Sequence, residues 1–493
     1  MAVAIILFGI MNIYSVDPDK GIRQLIFFGM SFVLIIGFIS AASTNPNFFE
    51  AYSPFIYLFS LLLLAGVLVF GREINGAKAW FVLGPVSFQP VELTKLATGL
   101  FLANFISSPS VEIKSRRTVL TAFAIIGIPI VLIILQPDLG SILVFSAFII
   151  ALYREGFSFM YIFIPVIGGT LFILSISYPA FYILTAIGLL TAFVSIFFIA
   201  FSNNRILLRN LMGVQIGLMV YFIVLVLLNY FYPEVGIVED VNSKGYVPLD
   251  ILHFNVTFYS IIGFLVAFIM LISTSYFLLK DNAESPYKMF SADFTSNQTY
   301  ESGIIATFVL LLVLGISIFS NQIYSKLPTH QQERVMVLFE GEGKFRDTSG
   351  YNLLYSKTAI GSGDLLGKGY LQGTVKIGRF VPEQSTDYIF CTVGEEWGFI
   401  GSSLLVILYS LFIMRIYYLA EQQRSAFNRV FGYSVASIFL MHFVMNIAMV
   451  MGLFPTVGIP LPFFSYGGSS LWAFISLVTI FLILNHKDKQ TLI

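Results

Sequence analysis

The sequence predicts an all-α fold, a polytopic bundle of transmembrane helices, and three observations carry that expectation. Of 493 residues, 57% are apolar and 11% are charged. Mean hydropathy is +0.87. The apolar residues fall in runs that approach the roughly 20 a helix needs to cross a hydrocarbon layer. A water-soluble core has no use for so much apolar surface. Lys and Arg number 27, as do Asp and Glu, and this balance points to no nucleic acid or other highly charged partner. Cys391 is the single cysteine, which excludes an internal disulfide framework. The chain enters an apolar run almost at once, without a charged start or a small-residue cleavage site, so no cleavable signal peptide is expected.

Taken in order, fourteen candidate spans result. They lie near Val3 to Ile13, Leu25 to Ala42, Phe55 to Phe70, Val91 to Ile106, Leu120 to Leu135, Ile142 to Tyr153, Met160 to Ser177, Ala180 to Phe201, Leu211 to Tyr230, Phe258 to Leu279, Ile304 to Phe319, Phe399 to Tyr418, Val430 to Val450 and Leu471 to Leu484. The first and sixth are short. With this count, the basic residues of the short loops (Lys114, Arg116, Arg117, Arg154, Arg205, Arg209, Lys280, Lys288, Arg424, Lys487 and Lys489) fall on one side, the cytoplasmic one, with both termini. The acidic loop from Pro233 to Asp250 and the long break from Asn321 to Gly398 then lie outside. That break is rich in glycine and poor in periodic apolar residues, so it is expected to pack on the bundle as a lid.

Five segments depart from the apolar background. The loop Gly76-Ala77-Lys78-Ala79-Trp80 leads into Phe88-Gln89-Pro90-Val91-Glu92-Leu93-Thr94-Lys95. Glu92 and Lys95 stand three apart on one helix face, where charges at membrane depth either form a structural ion pair or serve a polar cavity. Trp80 is open to an interfacial role. In Gln136-Pro137-Asp138-Leu139-Gly140, Asp138 is expected to cap the next helix. A glycine-rich stretch from Ala359 to Thr374 carries Lys368, whose charge could meet phosphate, although the spacing is not that of a nucleotide loop. Val381 to Gly398 gathers Glu383, Asp387, Glu395 and Glu396 within fourteen residues. A carboxylate there suits general acid or base work if it is desolvated or paired, against the commoner fate of a solvated loop acid. Asp387, next to Tyr388-Ile389-Phe390, is the one least expected to be merely solvated. Finally, Pro455 to Ser470 breaks the entry to the last span. Irregular backbone at membrane depth lines a cavity or packs on protein, so Ser465 and Ser469 are expected to face the interior. The four histidines are scattered, and no spacing resembles a zinc site.

In order, GAKAWFVLG, FQPVELTKLA, QPDLGS, YNLLYSKTAIGSGDLLGKGYLQGT, VPEQSTDYIF, GEEWG and PLPFFSYGGSS resemble the SEDS family of bacterial cell-wall proteins (RodA, FtsW and SpoVE), in the RodA-type spelling. The resemblance covers residues 1 to about 155 and about 300 to 490. It implies a ten-helix core, in 1–157 and 300–493, interrupted by about four inserted helices in 158–299, with a large outer loop at 321–398. It also implies a peptidoglycan glycosyltransferase that polymerises lipid II on the outer face of the bacterial cytoplasmic membrane during elongation and cell-shape maintenance. The rival readings are a lipid-linked precursor flippase or transporter and a division-type polymerase. By motif, Asp387 is similar to the family's essential aspartate and Trp80 to its required tryptophan. Glu92 and Lys95 match its intramembrane acid and base, while Lys78, Lys368, Glu383, Glu396, Ser465 and Ser469 fall in motifs implied to meet substrate. Ser385 stands where many relatives carry histidine. The resemblance further implies a class B penicillin-binding protein and elongation-complex membrane proteins as partners. No cofactor is required by it; a loosely bound Mg or Mn ion would suit the leaving diphosphate, and no ligand set marks one.

Overall fold

The computed structural model describes residues 1–45, 47–74, 77–83, 86–109, 111–113, 115–158, 161, 166, 168–170, 215, 218–220, 324, 329–346, 348, 350–374, 381 and 383–490. The chain divides into two compact units, one of Met1–Ile162 with Glu333–Ile493 and one of Phe163–Gln332. The five expected spans between Met160 and Phe319 lie essentially outside the described residues, as do Gly76, Lys114, Arg205, Arg209, Lys280, Lys288 and the loop from Pro233 to Asp250.

The first unit is helical. Helix α1 (Ala2–Val16) turns at Asp17, whose carboxylate caps α2 (Pro18–Thr44) by accepting from the N–H groups of Asp19 and Lys20, with Pro18 set at the first helical position. Only Gly21, Gln24, Ser31 and Ala42 of α2 are buried. Its exposed Phe32, Val33, Ile36 and Ile39 suit contact with lipid rather than water. Helix α3 (Phe48–Phe70) follows.

The expected loop before Glu92 is instead a small antiparallel sheet of β1 (Arg72–Ile74), β2 (Ala77–Leu83) and β3 (Val86–Phe88), in which Arg72 pairs with Trp80 and Phe81 with Phe88. Alternation explains the difference. Ala79 on one face of β2 is buried, while Lys78, Trp80 and Val82 occupy the other.

Helix α4 (Pro90–Ser107) is buried along most of its length and packs on α3, α5 (Arg116–Ile134) and, farther along the chain, α11 (Ala426–Val450). The sixth expected span is broken into α6 (Leu139–Phe145) and α7 (Phe148–Arg154) at Ser146-Ala147. The long break is less irregular than its glycines suggest, because it contains α8 (Thr329–Glu340), α9 (Tyr351–Ser362) and the start of α10 (Ile389–Glu421). Within α10, Gly398 has φ of 64°, which interrupts the helix and separates Ile389–Trp397 from the apolar remainder. The glycine-rich segment then fits directly against that break: a Cβ on Gly363 would lie 1.9 Å from the Gly394 carbonyl oxygen. Helices α11 (Ala426–Val450) and α12 (Gly468–Gln490) complete the unit. Among the described residues six helices are long and apolar enough to cross a membrane: α2, α3, α5, α10, α11 and α12.

Candidate active site

The segment 455–461 touches the turn 383–388, and together with the N-terminal half of α4 and the capped start of α6 it lines one cavity. The turn forms because the Glu383 carbonyl accepts from the N–H groups of Thr386 (3.3 Å) and Tyr388 (3.2 Å). The Glu383 side chain tightens it by accepting from Thr386 Oγ1 at 2.9 Å. Asp387 therefore sits half-buried just before α10 begins. The amide of Asn446, fully buried on α11, donates to the Asp387 main-chain carbonyl at 2.8 Å and to the Ile459 carbonyl at 2.7 Å, so one side chain holds both segments.

The Asp387 carboxylate accepts no hydrogen bond from a described residue. Burial, followed by the nearby Glu383 charge, pushes its pKa from 3.8 to about 7, with Arg334 opposing and Asp138 adding. Gly458, at φ of 70°, runs beside it, and a Cβ there would lie 3.3 Å from Asp387 Oδ2.

Gly458 also lines a polar cavity of about 30 Å³ together with Gln89, Glu92, Lys95, Asp138 and His442. That volume holds a water or two. Asp138 caps α6 as expected, accepting from Ser141 N–H at 3.0 Å, and its other oxygen accepts from Ser141 Oγ at 2.8 Å and Gln89 Nε2 at 3.1 Å. Lys95 lies 2.7 Å from Glu92 Oε1 and 2.8 Å from His442 Nε2, and all three side chains are buried. His442 Nδ1 is 3.1 Å from the Pro460 carbonyl oxygen. The Glu92–Lys95 pair is an ion pair, and both residues line the polar cavity. Glu92 borders a second cavity of 360 Å³ as well, an apolar one between α2, α3, α4 and α12 whose lining includes Phe38, Phe49, Leu96, Ser469 and Trp472.

The other candidates lie elsewhere. Trp80 is half-buried on the sheet, and Lys78 donates to the Val69 carbonyl at 3.2 Å. Lys368 is held by Glu395 at 2.7 Å and by Thr374 Oγ1 at 2.8 Å, and Thr374 N–H also donates to Glu395 at 2.7 Å. Glu396 accepts from Ser15 of α1. These two acids, read in sequence as loop residues beside the membrane, are buried with their partners supplied by the glycine-rich segment and α1. Neither Lys368 nor Glu396 lines the polar cavity. Ser465 faces inward as expected and accepts from Leu461 N–H at 2.8 Å. Ser385 accepts from Lys20 Nζ at 2.9 Å.

Gln89, Asn446, Lys20 and His442 were not singled out from sequence. Gln89 belongs to the stretch FQPVELTKLA, and His442 carries a usable signal, an ionisable side chain in the middle of an apolar run. Among the described residues no three His, Cys, Asp or Glu side chains group as metal ligands.

Residues 4–205 and 257–490 match the family FTSW_RODA_SPOVE, described as cell cycle protein. The match enters the expected insertion from both ends and leaves 206–256 uncovered. The chain is similar to the peptidoglycan glycosyltransferase RodA of Treponema pallidum, at 26% identity over 97% of this chain and 94% of the relative. It is similar to the peptidoglycan glycosyltransferase MrdB of Escherichia coli K12, at 26% identity over 95% and 87% of the two chains. A solved chain from work on structural coordination of polymerization and crosslinking by a peptidoglycan synthase complex shares the fold, with a TM-score of 0.57 at 22% identity, covering 99% of this chain and 96% of that one.

Proposed function

The chain belongs to the FtsW, RodA and SpoVE family, and on that premise we propose that it is a peptidoglycan glycosyltransferase that polymerises lipid II, with Asp387 as its general base. The relatives named above are peptidoglycan glycosyltransferases by name. The observation that carries the assignment of the base is the Asp387 carboxyl: half-buried, beside a polar cavity, accepting no hydrogen bond from a described residue, and raised to about 7. A base with a pKa near the working pH combines a sizeable ionised fraction with a strong pull on the proton.

In the step we propose, Asp387 takes the proton of a sugar hydroxyl on one lipid-linked unit. The hydroxyl oxygen bonds to the anomeric carbon of a second unit, and the bond from that carbon to the undecaprenyl diphosphate oxygen breaks, so the electron pair leaves with the diphosphate. Fixed positive charge favours this departure. Lys95, held at the cavity by two buried partners, is the cation best supported for that role. We further propose that Trp80, Lys78, Glu92, Lys368, Glu383, Glu396, Ser465 and Ser469 contribute to substrate binding, Ser469 and Glu92 through the apolar cavity that would suit a polyprenyl chain. A loosely bound Mg or Mn ion at the diphosphate is a separate proposal, and no step runs through it because no ligands group for one among the described residues.

The chain is a multi-pass membrane protein. We propose the bacterial cytoplasmic membrane, both termini in the cytoplasm, the Asp387 end of the bundle outside, and the inserted helices within 158–299, of which 206–256 is the part the family match omits. We also propose an elongation-type role with a class B penicillin-binding protein as crosslinking partner, and with other membrane proteins of the elongation complex. The test incubates purified protein with lipid II and measures glycan strands and lipid translocation separately. Strand formation is expected; translocation without strands would reject the enzyme.

A further inference from the structure

His442 makes two contacts that together fix its chemistry. An ammonium has three donors and no acceptor, so Lys95 Nζ, 2.8 Å from Nε2, donates and Nε2 accepts. The ring proton then belongs on Nδ1, which donates to the Pro460 carbonyl oxygen at 3.1 Å. The ring is 2% exposed and packs perpendicular to Phe474 at a centroid distance of 4.9 Å, so both contacts lie away from bulk solvent. Pro460 lies two residues beyond Gly458, the residue whose backbone runs beside the Asp387 carboxylate. A covalent and hydrogen-bonded path therefore leads from the Lys95 ammonium through the imidazole to the segment that backs Asp387.

We infer that His442 is a positioning residue: as the neutral Nδ1–H tautomer it holds the Lys95 ammonium at the cavity and ties it to the 458–460 segment beside Asp387. Glu92 alone leaves the lysine head with one charged partner on its own helix, three residues away. His442 supplies a second fixed point from α11, which sets the direction of the ammonium as well as its charge. The ring must stay neutral for this, since an imidazolium would turn a donor toward the ammonium.

The inference rests on the glycosyltransferase reading for its activity readout, and has a second readout that does not. In protein labelled with 15N-histidine, the resonances lost in His442→Phe identify this ring; Nδ1 protonated and Nε2 bare is the expected pattern. A protonated Nε2, alone or with Nδ1, overturns the inference whatever the enzyme does. In the polymerisation assay, His442→Phe keeps the aromatic packing and removes both contacts. Its kcat is expected to fall roughly a hundredfold, the scale of a misplaced catalytic group, with little change in KM. His442→Gln, whose carbonyl can accept from Lys95, is expected to recover most of that loss. Parental kcat in His442→Phe, or equal loss in both variants with unchanged melting temperature, overturns it. Absence of polymerisation in the parent, with the expected 15N pattern, counts against the proposed function and leaves the tautomer standing.

Discussion

Replacing Lys95 by methionine keeps the length and apolar stem of the side chain and deletes one buried charge. In the parent, the 2.7 Å separation from Glu92 Oε1 corresponds to an attraction of about 6 kcal/mol at an effective dielectric constant of about 20. Both side chains are 5% exposed or less, so solvent screens this little. Desolvation of the two ions offsets most of the gain, and the pair as a whole contributes little net stability. The asymmetry appears when one partner goes. Glu92 Oε2 already has no hydrogen-bond partner among the described residues, and removing Lys95 would strand the whole carboxylate at a cost of about 3–5 kcal/mol. Glu92→Gln is expected to cost less, because His442 still receives the ammonium. The double variant Glu92→Gln with Lys95→Met is expected to recover most of the loss, giving a coupling energy of about 2–3 kcal/mol. Thermal or denaturant unfolding of the four proteins in one detergent measures it. Losses that simply add, or a Lys95→Met protein as stable as the parent, would refute the reasoning.

Activity should rise with pH through about 7, because Asp387 acts in its ionised form. Glu383→Gln removes a charge that raises this pKa, so the acid limb of the rate profile should move to lower pH; Arg334→Gln removes an opposing charge and should move it higher. Gly458→Ala places a methyl group 3.3 Å from Asp387 Oδ2 at a φ of 70°, and should cost about 1–2 kcal/mol of stability together with a loss of polymerisation larger than that cost explains. Gly398→Ala should be worse tolerated, since its Cβ would sit 2.3 Å from the Gly367 nitrogen; failure to accumulate folded protein, read by size-exclusion chromatography, is the expected outcome.

Among the described residues, helices cover the stretches that hydropathy marks, as Phe55 to Phe70 inside α3 and Val430 to Val450 inside α11, the sixth being broken in two; lipid leaves a spanning segment little choice but to satisfy its backbone internally. The sheet at Arg72–Phe88 leaves little trace in the sequence because short strands have no length signal, and the alternation of Lys78, Trp80 and Val82 is brief. Ile389–Trp397 leaves little because Glu395 and Glu396 read as solvated. Their partners, Lys368, Thr374 and Ser15, come from distant chain, and no local pattern announces them. Asp387 and the Glu92–Lys95 pair could be picked out by charge set against apolar surroundings. What joins them could not, since Asn446, Gly458, His442 and the Pro460 carbonyl become neighbours only once α11 and the 455–461 segment have packed.

The most direct measurement compares purified parent and Asp387→Asn protein in polymerising lipid II across pH 5 to 9. Asparagine keeps the size and the backbone contact to Asn446, and removes only the basic oxygen. The account predicts a fall of about 10²–10⁴-fold at pH 7, the usual contribution of a general base, and loss of the rise near pH 7, with an unchanged melting temperature. Strand synthesis by Asp387→Asn at the parental rate and with the parental pH profile would contradict it.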